Sequence, residues 1–351
     1  MNYEEAFSHA VGRVKSLDTR LIEPSTYNRM IDAQDACDLM KILSETDYQV
    51  HNDTDPHDYE DVIYAELRRV NEEVAGFSPL PFLTGAFYSK YDFENLKAIL
   101  KVELLKTENP NSNVFFPLGW LDYQAVRNLV RRRLDPDNTV KMSFPEDSKG
   151  IGLLVKFLES STDEALEAYR SADEDPQKID LVVDRLSFSY YYEVADIYRA
   201  DFLKRLVEAM ADLTNIRTLL RLKSIGKLSV FMRQTFLPHG ILSIKRLEEM
   251  FDEPYEKIVA ELQFSPYISY VEEGIKRWGT EGSLKELEKT CDLYVNRIVD
   301  ETKLVTFGYE PVLGYLMRKE REANMLRRIF MGKVNRMSPQ LIRERLCDSY
   351  A

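Results

Sequence analysis

The chain has 351 residues, 44% of them apolar and 30% charged, which is enough apolar material for a sizeable core and too much for a disordered tail. A formal charge of −12 repels phosphate backbones and argues against nucleic acid as the main partner. No uncharged stretch reaches the roughly 18 residues of a bilayer span, so the expected relation to a membrane is peripheral at most.

At about 150 residues per domain, this length suggests two or three domains, or one architecture of repeated units. Gly and Pro number 14 each, below average usage, which disfavours a turn-rich β-sandwich. The abundance of Leu, Glu, Lys and Arg favours helix. Glu4 and Glu5 stand where a signal peptide would carry a basic head, so none is expected. Cys37, Cys291 and Cys347 form no CxxC pair, which points away from a disulfide framework or a CxxC zinc site and toward a reducing, cytosolic compartment.

In chain order, residues 1–22 read as a first helix ended by Pro24, and 33–44 as a second. The polar run from His51 to His57 reads as a loop, and helix resumes over 58–75. Loops are expected at 107–119, 135–149, 172–176, 237–240 and 278–283. Over 284–299, Leu284, Leu287, Cys291, Tyr294, Val295, Ile298 and Val299 recur at helical spacing as one apolar stripe. No alternating strand of any length is found, and the apolar cluster 114–121 is too short to assign by period. The fold class read from this pattern is all-α.

The most informative feature is a threefold self-similarity. Phe202, Leu206, Ala209, Leu213, Ile216 and Leu220 make a helical seam. Phe82, Ala86, Ser89, Phe93, Leu96 and Leu100 hold the same register, as do Val312, Leu316, Lys319, Ala323, Leu326 and Phe330. Asp92, Asn95 and Lys97 coincide with Asp212, Asn215 and Arg217. The third segment keeps an acid, Glu322, and a base, Arg327, but its Asn324 has slipped by one position. Pro81 and Pro311 stand at equivalent helix starts. Phe116-Pro117-Leu118-Gly119 precedes Leu121-Asp122, and Leu237-Pro238-His239-Gly240 precedes Leu242-Ser243. The third segment has only Met337-Ser338. In each, Asp or Ser is a good N-cap for a short helix, expected at 122–134, 243–252 and 338–348. The repeat divides the chain into units 1–137, 138–252 and 253–351.

The C-terminal run through Gly308, Pro311, Tyr315, Glu320 and Glu322, continuing to Leu326, Arg327, Ile329, Gly332, Lys333, Ile342 and Arg343, resembles the end of the C subunit of the archaeal and bacterial A/V-type ATPases. The eukaryotic counterpart is the d subunit of the V-ATPase. Arg13, Leu17 and Leu21, then Glu45 to Tyr48, the segment Ile179–Arg185, and the Asn95 and Asn215 segments agree with it, so the resemblance runs nearly the whole chain. It implies a funnel-shaped all-α protein of three related helical units. It also implies a non-catalytic place in the central stalk (the rotor), on the cytoplasmic face of the membrane. There the shaft subunits meet the proteolipid ring, and the chain is one copy in the complex. Three stacked units closed around an axis would give a hollow for a shaft end and a broad rim for a ring. A soluble helical-repeat adaptor is the alternative from another class.

No residue is assigned a catalytic, cofactor-binding or metal-ligating role. His51, Asp53, Asp55, His57 and Asp58 lack an EF-hand glycine, and Tyr64 stands at the twelfth position, so a solvated acidic loop is expected. Gly226-Lys227-Leu228-Ser229 has Arg221 for the upstream glycine of a phosphate loop and Leu228 for its Ser or Thr. Cys37 and Cys291 are read on apolar faces, as buried thiols. Arg127, Arg131, Arg132 and Arg133 form one basic cluster. Arg318, Lys319, Arg321, Arg327, Arg328, Lys333 and Arg336 form another. Both are read as solvated faces balanced by local acids, with docking to acidic surfaces or anionic headgroups as the functional alternative. Lys319 falls on the seam, where a cation needs a partner such as Glu322, a water-facing cavity, or room to snorkel.

Overall fold

The computed structural model describes residues 3–51, 53–105, 115–135, 149–226, 232–281 and 285–346. No β-strand occurs among the described residues, and the chain is all-α. The helices in chain order are α1 (Tyr3–Asp18), α2 (Pro24–Asp32), α3 (Ala36–Leu43), α4 (Tyr59–Phe77), α5 (Pro81–Thr84), α6 (Lys90–Leu104) and α7 (Tyr123–Leu134). Then follow α8 (Lys149–Ser171), α9 (Gln177–Ile197), α10 (Asp201–Ser224), α11 (Met232–Thr235), α12 (Ile244–Phe251) and α13 (Tyr255–Glu261). The last four are α14 (Ile268–Glu281), α15 (Lys285–Glu301), α16 (Glu310–Val334) and α17 (Pro339–Leu346).

The chain forms two compact units, Met1–Gly85 with Asp292–Ala351, and Ala86–Cys291. In the first, α16 is the central helix, and α1, α3, α4, α5 and α17 pack on it. Tyr59 of α4 stacks flat on Phe330 of α16, with ring centres 4.8 Å apart. In the second, α8 and α9 form a hairpin, α6 packs on α7 and α9, and α10 packs on α9, α11 and α12.

Most of the seam is buried as its spacing predicts, but Phe82, Phe202 and Leu316 are only half-buried. Leu96, Leu100, Leu206, Leu213, Ile216, Leu220, Val312, Ala323, Leu326 and Phe330 are each at most 1% exposed, and burying a large aliphatic or aromatic side chain is worth about 1.5–3 kcal/mol. All three expected caps form. Asp122 accepts from Gln124 N–H at 2.7 Å, Ser243 from Arg246 N–H at 3.2 Å and Ser338 from Leu341 N–H at 3.3 Å.

Four local expectations are corrected. The first helix stops at Asp18, and Pro24 opens α2 rather than closing α1, because a first-turn proline gives up only an N–H that has no intrahelical partner. The first long helix is not continuous. Gly85 closes α5, a 3-10 turn spans Ala86–Ser89, and α6 begins at Lys90. Helix α14 runs on to Glu281 where a loop was expected from 278, and Trp278 packs edge-on against Tyr255 of α13. Cys37 is exposed, whereas Cys291 is buried. Cys37 lies two residues, or about 200°, round the helix from buried Leu39. Much of the expected 107–119 and 135–149 loops, and Lys227, Leu228, Ser229 and Cys347, lie outside the described residues.

Candidate functional site

The Asp-x-x-Asn pattern of the seam helices builds a loop anchor. On α6, Asp92 is fully buried. Its Oδ2 accepts from Trp120 N–H at 2.9 Å and its Oδ1 from Leu121 N–H at 2.9 Å. One turn on, Asn95 Oδ1 accepts from Phe116 N–H at 2.8 Å, and its Nδ2 donates to Phe116 O at 3.0 Å. With a longer bond from Asn95 Nδ2 to Leu118 O at 3.5 Å, the loop before α7 is held by five backbone bonds from two side chains.

The same arrangement recurs on α10. Asp212 accepts from Ile241 N–H at 2.9 Å and Leu242 N–H at 3.1 Å, and Asn215 takes both polar groups of Leu237 at 2.7 and 2.9 Å. Tyr267 adds its hydroxyl to Asp212 at 2.8 Å. The helix has to present Asp and Asn three residues apart, on one face, for both to reach one loop.

The glycine of each loop is set by the same acid. A Cβ on Gly119 would stand 2.7 Å from Asp92 Oδ1, at a φ of 117° that disfavours any side chain, and one on Gly240 would collide with Asp212 Oδ1. Burial pushes Asp92 up to about 7 against the pull of the Trp120 and Leu121 amides. Burial also pushes Asp212 up to about 6, opposed by the Tyr267 hydroxyl and the Leu242 and Ile241 amides.

The acid of the third segment has a different loop partner. Glu322 Oε2 accepts from Ile22 N–H at 2.6 Å, just before α2, and its Oε1 accepts from the Tyr48 hydroxyl at 3.0 Å. Ile22 precedes Glu23, the N-cap residue of α2, as Leu121 precedes Asp122 and Leu242 precedes Ser243. The extra methylene of Glu gives the longer reach. Sequence reasoning offered Lys319 as a partner of Glu322 and missed Ile22 and Tyr48. The available signal was Ile22-Glu23-Pro24, an apolar residue, an acid and a first-turn proline.

Asn324 is exposed and accepts from Arg327 at 2.9 Å. The position that matches Asn95 and Asn215 holds Met325, which is buried. Lys319 pairs with Glu322 at 2.7 Å and with Glu66 at 2.9 Å, and its ammonium lies 4.5 Å from the centre of the Tyr48 ring. It does not snorkel: only 3% of the residue is exposed. Burial, then the charge of Glu322, holds the Tyr48 hydroxyl well above its ordinary range.

The basic clusters are largely matched by local acids. Arg127 and Arg131 share Glu103, and Arg133 meets Glu159 and Asp163. Arg318 pairs with Asp18, Arg321 with Asp300, and Arg327 with Glu60, while Lys333 donates to the Ala33 carbonyl; Arg318, Lys319 and Lys333 are buried, not on the solvated face expected, because each has a partner inside the fold. Arg132, Arg328 and Arg336 are exposed. In the loop after His51, Asp55 accepts from both the backbone and the ring of His57 at 2.9 Å, and the backbone bond, first, holds Asp55 low. No group of three His, Cys, Asp or Glu side chains placed to hold a metal occurs among the described residues. No helix there is long and apolar enough to cross a membrane.

Comparison with known proteins places this architecture. A family model described as ATP synthase (C/AC39) subunit matches residues 10–345. The A-type ATP synthase C subunit of Methanocaldococcus jannaschii is 22% identical over 97% of this chain and 86% of its own. The V-type sodium ATPase C subunit of Enterococcus hirae is 22% identical over 96% of this chain and 97% of its own. A third relative, from Methanosarcina mazei and also an A-type ATP synthase C subunit, is 23% identical over 97% and 92%. With a match that spans nearly all its length, the chain belongs to the ATP synthase (C/AC39) subunit family.

Proposed function

We propose that this chain is a non-catalytic rotor subunit of a rotary A/V-type ATPase, seated on the cytoplasmic face of the membrane. It joins the central shaft to the proteolipid ring and passes torque between them. Three helical modules, 1–137, 138–252 and 253–351, surround a central cavity with approximate threefold symmetry. The observation that carries this reading is the loop anchor. A buried acid on each seam helix holds the residue that precedes a short helix, through Leu121, Leu242 and Ile22. The family relationship supports it independently.

Torque transmission asks for stiffness and distributed contacts rather than a reactive group. A loop tied by buried hydrogen bonds to a seam helix moves with that helix, because such bonds are directional. The third anchor joins segments 300 residues apart in sequence, so the segment before α2 is tied to the seam helix α16.

The test is assembly. The purified chain, mixed with shaft subunits and detergent-solubilised proteolipid ring, is expected to join both in one complex at low salt. Absence of a complex with either component would contradict the proposal.

A further inference from the structure

We propose that the groove between α13 and α14 docks an amphipathic helix of a partner protein, with Lys or Arg bordering its apolar face. Tyr255 and Val259, four residues apart on α13, and Ile275 and Trp278, three apart on α14, line a groove of 520 Å³. All four are half-buried. Ile258, Val271 and Gly274 on the same two helices are buried. Each helix therefore carries apolar surface beyond what the core takes up, and the two surplus strips meet. Trp278 stands edge-on to Tyr255, ring centres 5.0 Å apart and planes at 78°. Aromatic residues of this kind dominate the energetics of protein interfaces.

The shape fits a helix. Two packed helices leave a groove that accepts the ridge of a third. The lining on α14 runs from Glu272 to Trp278 beside the 7 residues of α13, about two turns or 10 Å, enough for partner anchors at i, i+3, i+4 and i+7.

The charge selects the partner. Glu256 and Glu272 stand on the rim. Lys276 pairs with Glu272 at 2.9 Å, while Glu256 is exposed and its side chain has no ion pair or hydrogen bond among the described residues. From Ser243 to Trp278 the sequence has eight acids against five bases. An anionic membrane surface is repelled by this border, and an acidic helix likewise; a basic border is drawn in. The proposal concerns a surface of the second unit alone and holds whether or not the chain turns in a rotary complex.

The chain has two tryptophans, so a full-length Trp120→Phe background leaves Trp278 as the reporter. The probes are a Leu/Lys amphipathic peptide of about five turns, a Leu/Glu peptide of the same pattern, and phosphatidylserine vesicles. The Leu/Lys peptide is expected to shift Trp278 emission to the blue and saturate, with affinity reduced at least tenfold by Val259→Lys and by Glu256→Lys. Glu256 is exposed, so its variant keeps the parent's thermal unfolding and separates lost docking from lost folding. Unchanged affinity in both variants, equal binding of the acidic peptide or the vesicles, or no binding of any probe would overturn the proposal.

Discussion

Replacing Lys319 by Met removes one ammonium and keeps most of the side-chain volume. That ammonium lies 2.7 Å from Glu322 Oε1 and 2.9 Å from Glu66 Oε1, in a residue 3% exposed. Without it, Glu66 still accepts from Arg69 at 2.8 and 2.9 Å, and Glu322 still accepts from Ile22 and Tyr48. Breaking a buried pair by deleting one partner costs about 3–5 kcal/mol. The surviving donors put this site at the lower end, about 3 kcal/mol. In a unit of this size each kcal/mol moves the unfolding temperature by about 2–4 °C, so calorimetry should show the unit of both chain ends melting about 6–12 °C lower. The Lys319→Met/Glu322→Gln double variant should recover at least half of that loss. Gln removes the orphaned charge and still accepts from Ile22 N–H. A drop of less than about 2 °C, or no recovery in the double variant, would refute the reasoning that the network is a mutually dependent ion cluster.

Ile216→Asp buries an unpaired charge at a fully buried seam position, at a cost of several kcal/mol, a large share of ordinary domain stability. The Ala86–Cys291 unit should lose its cooperative thermal transition, and an unchanged transition would show the seam register to be wrong. The Asp92 carboxyl, raised to about 7 by burial, binds its proton more tightly folded than unfolded. Its contribution to stability is complete below about pH 4 and is lost as pH rises through 7. The stability of the wild type relative to Asp92→Asn, from urea unfolding, should therefore fall between pH 4 and pH 7; a relative stability that grows with pH would contradict this. Gly240→Ala drives a Cβ into Asp212 Oδ1 and should lower the urea midpoint by the equivalent of about 1–3 kcal/mol. An unshifted midpoint would mean that the loop is free to move away from α10.

Much of this architecture is written in short-range pattern. Asp122, Ser243 and Ser338 stand where a cap must stand, and each one caps. The 3-4-3-4 spacing from Leu206 to Leu220 gives a buried seam because the helical period fixes which residues share a face. Asp92 with Asn95, and Asp212 with Asn215, advertise a shared task through spacing alone, although that task, gripping the loop before the next short helix, shows only in three dimensions.

What stayed hidden is long-range or depends on competition between neighbours. Nothing near Glu322 in sequence names Ile22 or Tyr48, because the contact joins segments 300 and 274 residues apart. Pro24 is compatible both with ending one helix and with opening the next, and the absence of its N–H does not distinguish the two. The break at Gly85 belongs to the first seam segment alone, since α10 and α16 run through unbroken for 24 and 25 residues. The basic clusters are visible as composition, but their local matching is a matter of which acid reaches which base: Glu103 lies far along the chain from Arg127 and Arg131 and next to them in space.

Rotation of this subunit, on which the proposed function depends, can be watched directly. Cys37 is exposed and Cys291 buried, so in a Cys347→Ser background a bead can be attached at Cys37 of the assembled complex, with the catalytic head fixed to glass. On addition of ATP the bead should rotate in steps together with the shaft. A bead that stays still while the shaft turns would place the subunit in the stator and contradict the account.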